Sequence, residues 1–223
     1  AMSILALLIA FAFSFGVLAW AEPWVPHSLV GGRVYMAVPA VDASGNVYVA
    51  IANGSLALAK STGASWTTSI LDPASGAQYA AIALDSKGGA HIVEDTYAGV
   101  GYLTNAGGAW SKTILDSGGT APSIALDASD HVHVAYLWVS QSGMEVRYAT
   151  NANGTWTRTI VRSWPGPPYS HDAAISIAAS ASGQVFVTFT VFGPSVYFLS
   201  NMNGSWASES FNPLEYYLSL QGI

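Results

Sequence analysis

The sequence predicts a mainly β protein. A long N-terminal hydrophobic α-helix over residues 1–22 is followed by four tandem four-stranded repeats, forming a small β-propeller or propeller-like array, with a two-sheet sandwich as the alternative. Three observations predict it. No charged residue precedes Glu22. Two separate landmarks, a turn and a tryptophan, recur four times after Val34 at matched spacing. Within each copy, short apolar runs alternate with a period of two and are rich in β-branched and aromatic side chains.

The leading segment carries large apolar side chains on every side of a helix, among them Ile4, Leu5, Leu8, Ile9, Phe11, Phe13, Phe15, Leu18 and Trp20. At about 1.5–3 kcal/mol for each one left in water, such a rod must be buried all round. At about 1.5 Å per residue it reaches roughly 30 Å, the thickness of a bilayer core. Glu22, Pro23 and Pro26 end it. The β repeats offer no hole for it, so its partner is lipid or other copies of the same helix. A secretory signal peptide, with "AWA" before Glu22, and a plain membrane anchor are competing readings. The first lacks a basic leading region, and the second lacks flanking Lys or Arg, since Arg33 is the first basic residue.

"AMSILALLIAFAFSFGVLAWA" resembles the start of a mature archaeal type IV pilin or archaellin, cut free of its basic leader. Leu5 stands where bacterial pilins carry Glu, which suits the archaeal branch. The resemblance implies a subunit that waits in the membrane and then joins a helical homopolymer through Ile4, Leu5, Leu8, Ile9, Phe11, Phe13, Phe15, Leu18 and Trp20.

Residues 23–33 read as a linker bracketed by Pro and Gly, and residues 34–211 as the four-repeat head. "AVDASGNVYVAIA" recurs as "IALDSKGGAHIVE", "IALDASDHVHVAY" and "IAASASGQVFVTF", with Asp42, Asp85, Asp127 and Ser180 spaced 43, 42 and 53 apart. Trp66, Trp110, Trp156 and Trp206 follow at intervals of 44, 46 and 50. The Asp-containing stretches are turns. Asn-Gly before Trp156 and Trp206 suggests two-residue hairpin turns with both central residues at positive φ. Four short strands per copy match a propeller blade. "TNANGTW" and "SNMNGSW" are similar to the Asp-box of sialidase-type propeller repeats, with Asn in place of Asp and the Trp one residue early. That resemblance implies fold, not activity. Residues 212–223 look like an extra C-terminal strand that completes the head or pairs with a neighbouring subunit.

Little catalytic chemistry is visible. His131 and His133 share a strand face, as a metal pair would, but Tyr48, His91 and Phe186 occupy the slot of His133 in the other copies, which marks a place for a flat ring. The turn aspartates serve as caps more readily than as calcium ligands, which must converge in number. Glu94 and Asp95 face opposite ways on a strand and cannot share a substrate. Arg158 and Arg162 lie on one outer strand, and no nucleophile elbow or phosphate loop occurs. The expectation is no catalytic residue, no cofactor and no metal.

Charged residues make up only 9% of the chain and the net charge is −6, which argues against nucleic acid as a partner. Cysteine is absent, so no disulfide framework exists. Asn53, Asn153 and Asn203 each begin an N-glycosylation sequon in an expected turn. Together these readings describe a non-enzymatic structural subunit of an extracellular filament whose head mediates adhesion. The alternative is a membrane-anchored surface propeller that binds glycans or another ligand. In the filament reading, Leu8→Lys abolishes fibres in electron micrographs while the head stays folded; normal fibres from that variant would sink it.

Overall fold

The structure is a computed structural model that describes residues 28–63, 65–165, 174–190 and 195–211. The expected helix 1–22 with its polymerisation residues, the first part of the linker and the expected strand 212–223 lie outside the described residues. Among the described residues there is no helix.

Four antiparallel meanders account for the repeats. The first blade is β1(Met36–Val41), β2(Val47–Ala52), β3(Leu56–Thr62) and β4(Ser65–Asp72). The second is β5(Ala80–Leu84), β6(Ala90–Thr96), β7(Gly99–Thr104) and β8(Ser111–Asp116). The third is β9(Thr120–Leu126), β10(Val132–Ser140), β11(Gly143–Thr150) and β12(Thr157–Pro165). The fourth is β13(Ala174–Ala179), β14(Val185–Thr190), β15(Val196–Ser200) and β16(Ala207–Phe211). The first strands pack in succession, β1 on β5, β5 on β9 and β9 on β13, so they form the inner wall of an arc of four blades. Four separate sheets replace the alternative of a two-sheet sandwich.

Apolar burial lies between blades. Leu56, Leu58, Ile82, Ile92 and Leu103 join the first blade to the second. Val93, Val100, Val132, Val134 and Tyr136 join the second to the third. Leu137, Val146, Val187, Phe189 and Leu199 join the third to the fourth. Because the middle blades are covered on both sides, β6 is buried through its first five residues and β10 through its first six, rather than at every second position.

The free face of the first blade has its own cover. Leu29 and Val30 pack against Ile51, Ala57 and Ala59. Thr68 on β4 donates its hydroxyl to the Leu29 carbonyl at 3.1 Å, and the Tyr35 amide donates to the Ala52 carbonyl on β2 at 2.9 Å. Residues 28–35 therefore cross this sheet from its outer strand toward its inner one.

The turns repeat their chemistry as faithfully as the strands. Asp42 Oδ1 accepts the amides of Ser44 and Asn46, each at 2.9 Å. Asp85 Oδ1 does the same for Lys87 and Gly89, and Asp127 Oδ1 for Ser129 and His131. Ser180 takes the slot in the fourth blade, accepting the Gln184 amide at 3.1 Å. Gly45, Gly88 and Gly183 sit at positive φ in three of these turns; in the third blade Asp130 takes that place at φ 61°. Its carboxylate accepts the Ser86 amide at 2.8 Å and the Ser86 hydroxyl at 2.6 Å, which ties the third blade to the second.

The second landmark departs from the expected two-residue turn. Gly154 has φ 80° but Asn153 is not at positive φ. A four-residue turn closes instead, with the Gly154 amide donating to the Asn151 carbonyl at 2.8 Å. The Asn151 side-chain oxygen accepts the Val132 amide at 2.8 Å; Asn105 and Asn201 hold Ala90 and Val185 alike. Asn151 and its equivalents thus pin each hairpin to the second strand of its own blade. Trp156 and Trp206 then place an edge on Tyr102 and Tyr148 of the preceding blade, at centroid distances of 4.9 and 5.2 Å.

Two outcomes follow. Asn151→Ala orphans the Val132 amide and lowers stability by about 1–3 kcal/mol, read as a shift of the urea midpoint. Burial raises the Asp127 pKa, but hydrogen bonds from His131, Ser129 and His133 outweigh it and hold the carboxyl down at about 2. Because the folded pKa lies below the unfolded value of about 3.9, the stabilisation is complete above about pH 4 and is lost as pH falls toward 2. Asp127→Asn flattens that acid limb of the stability curve.

Candidate functional site

One local irregularity organises the clefts between blades. The outer strand of each of the first three blades carries a register shift against its neighbour, at Leu71 opposite Leu56/Ala57, at Leu115 opposite Val100/Gly101 and at Val161 opposite Val146/Arg147. Each is a β-bulge. Before the bulge the strand points its polar residue at the preceding blade; after it, the next polar residue points at the following one. Lys112 therefore faces the first blade while Asp116, four residues on, faces the third. Arg158 and Arg162 divide in the same way between the second and fourth blades, although an unbroken strand would set them on one face.

Three equivalent junctions result. Between the first and second blades, Lys112 bonds to Asp72 and, at 2.9 Å, to Glu94 Oε1. Glu94 is fully buried, and its Oε2 has no partner among the described residues. Burial raises its pKa more than Lys112 lowers it.

Between the second and third blades the junction is richer. Asp116 Oδ2 accepts from the Tyr136 hydroxyl at 2.8 Å and from Arg147 Nη1 at 2.7 Å. Asp116 Oδ1 meets Arg158 Nη1 at 2.8 Å. Arg147 Nε donates to Glu145 at 2.6 Å, and its guanidinium lies 4.3 Å from the Trp138 ring centroid. Burial of Asp116 opposes its ionisation, but Arg147, Tyr136 and Arg158 outweigh it and hold the carboxyl below the usual range. An open cleft of about 430 Å³ lies over this network, lined by Asp116, Arg147, Arg158, Thr159 and Ile160. Arg158 is half exposed there, and Ile160 supplies an exposed apolar wall. A smaller hollow of about 260 Å³ lies along β10, β11 and β12, with Trp138, Glu145, Ser140, Ser163 and Trp164 among its lining residues.

Between the third and fourth blades, Arg162 donates to the Ser208 hydroxyl and lies over both the Trp164 and Tyr197 rings, 5.0 and 5.3 Å from their centroids.

The other residues singled out in the sequence fall in structural places. His133 is 2% exposed, with Nδ1 at 2.6 Å from the Tyr148 hydroxyl and Nε2 at 3.4 Å from Asp127. His91, Tyr102 and Asp85 repeat this trio in the second blade. In the fourth blade Phe186 stacks on Phe198, so the slot holds a ring. His131 bonds Asp127 from the same side at 2.9 Å. Among the described residues no group of three or more His, Cys, Asp and Glu is placed to hold a metal ion. Glu94 and Asp95 do face apart, Asp95 accepting the Gln78 and Tyr79 amides at 2.8 Å. Asn153 and Asn203 are exposed in the β11–β12 and β15–β16 hairpins. Asn53, in the β2–β3 hairpin at the opposite end of the meander, is partly buried and accepts the Ser55 hydroxyl at 2.7 Å. Reasoning from the sequence missed Asp116, Arg147, Glu145 and Trp138. The available signal was the repeated pair of adjacent apolar residues in "ILD", "ILD" and "IVR", which breaks alternation where the bulges lie.

No protein-family model and no curated protein matches the sequence. Solved structures do resemble it. AofleA from Arthrobotrys oligospora is 14% identical over 79% of this chain and 56% of its own, with a TM-score of 0.54. The Aleuria aurantia lectin, described as a six-bladed β-propeller with a novel mode of fucose recognition, is 15% identical over 78% of this chain and 59% of its own, at 0.53. SapL1 lectin, solved with α-methyl fucoside, is 14% identical over 78% of this chain and 62% of its own, at 0.55. The likeness establishes a propeller-type fold, and the chain spans little more than half the length of AofleA.

Proposed function

We propose that the β region is a non-catalytic glycan-binding module on the outside of the cell, and that sugars bind in the clefts between its blades. The observation that carries this reading is the cleft between the second and third blades. A sugar ring presents hydroxyls around its rim and C–H groups on its faces. The cleft offers a buried carboxylate held in place by three donors, a half-exposed guanidinium, a threonine and an apolar wall, which are complementary to both kinds of surface. The lectin neighbours support the same reading, since two of them are described with fucose or a fucoside. It takes precedence over the filament reading, which rests on residues 1–22. Glycosylation at Asn53, Asn153 and Asn203 is compatible with an extracellular location and is part of the same proposal.

The test is a glycan array followed by calorimetry on the best binder. Arg158→Ala is expected to weaken binding about tenfold or more, because a charge-assisted hydrogen bond to a hydroxyl is lost. The unfolding midpoint should hardly move, since Arg158 is half exposed and its ion pair is screened. No binding to any glycan, or unchanged affinity in the variant, overturns the proposal.

A further inference from the structure

The three junctions occupy equivalent places but carry different charge. The first holds two carboxylates and one lysine. The second pairs Asp116 and Glu145 with Arg147 and Arg158. The third holds Arg162, and among the described residues no carboxylate faces it. Glu145 projects from the other side of the third blade, where it pairs with Arg147. Glu209 lies beside Ser208 in sequence and so points to the other side of β16. Arg162 is nonetheless well positioned. Its guanidinium lies over the Trp164 and Tyr197 rings, which are themselves packed edge to face at 5.5 Å, and Ser208 takes one donor. A guanidinium placed over aromatic rings keeps N–H groups for other partners, in a planar fork suited to a planar oxyanion. Ser208 is exposed and Arg162, Trp164 and Tyr197 are all partly exposed, so the fork is reachable from solvent.

We propose that the junction between the third and fourth blades is an acidic-sugar subsite, in which Arg162 takes the carboxylate of a uronic acid or similar residue while Trp164 and Tyr197 fix the guanidinium. This rests on the reading of the inter-blade clefts as glycan sites and assigns the charge class of one of them. Contact with both rings and with Ser208 restricts Arg162 before any ligand arrives, which lowers the entropic cost of a two-point contact. The balanced and the acid-rich junctions have no equivalent cation to spare.

The test uses the full chain and paired sugars that differ only in the carboxylate, methyl glucuronide against methyl glucoside and methyl galacturonide against methyl galactoside, alongside a broad glycan array. The expected result is about tenfold tighter binding of the acidic member, weakening with added salt. Arg162→Gln should bring the two members to equal affinity, Arg162→Lys should retain part of the preference as a point charge, and both should keep the unfolding midpoint of the parent. Neutral sugars bound as tightly as acidic ones by the parent, or a preference that survives Arg162→Gln, overturns the assignment while leaving glycan binding intact. Failure to bind any sugar on the array overturns both.

Discussion

The bulge in each outer strand is the constraint on which the inter-blade chemistry depends. A regular strand gives its polar residues to one side or the other by parity alone. One extra residue at Leu71, Leu115 or Val161 reverses that parity partway along, so a single strand serves two clefts. Asp72 reaches Lys112, Asp116 reaches Arg158 and Arg162 reaches Ser208 by the same device. The bulged residues are themselves apolar and pack into the core shared with the following blade, on the same side as the polar residue that comes next, so burial and polar contacts together hold the irregularity.

The arrangement is also local. Each apolar cluster is built on one blade or on two neighbours, with Tyr79, just before β5, also packing against the cluster between the third and fourth blades. Stability in such an array is close to a sum of blade terms and nearest-neighbour terms. The clefts inherit this independence. Their residues come from adjacent blades only, which lets three equivalent junctions carry three different charge balances without disturbing one another.

Much of the fold was legible because it is repetitive. The recurrence of Asp42, Asp85, Asp127 and Ser180 with the tryptophans located the blades, and the slot that His133 shares with Tyr48, His91 and Phe186 holds a packed ring in the structure. The turn before Trp156 was read wrongly in detail: Asn-Gly suggested a tight hairpin, whereas Asn151 bonds outward to the Val132 amide and enlarges it. The clefts were not legible. Arg158 and Arg162 were read only as lying on one outer strand. Only the pairing with β11 shows that the strand turns over between them. Asp116 and Arg147 are distant in sequence and meet across a blade boundary that periodicity does not describe.

The covering of the first blade by residues 28–35 has a mechanical consequence. A tether pulled from the amino-terminal side engages the head at Leu29, on β4, and must slide across the whole sheet before it reaches β1. Load then falls first on the Thr68 hydrogen bond and on the apolar packing of Leu29 and Val30, so the innermost strand is not the first to be peeled away.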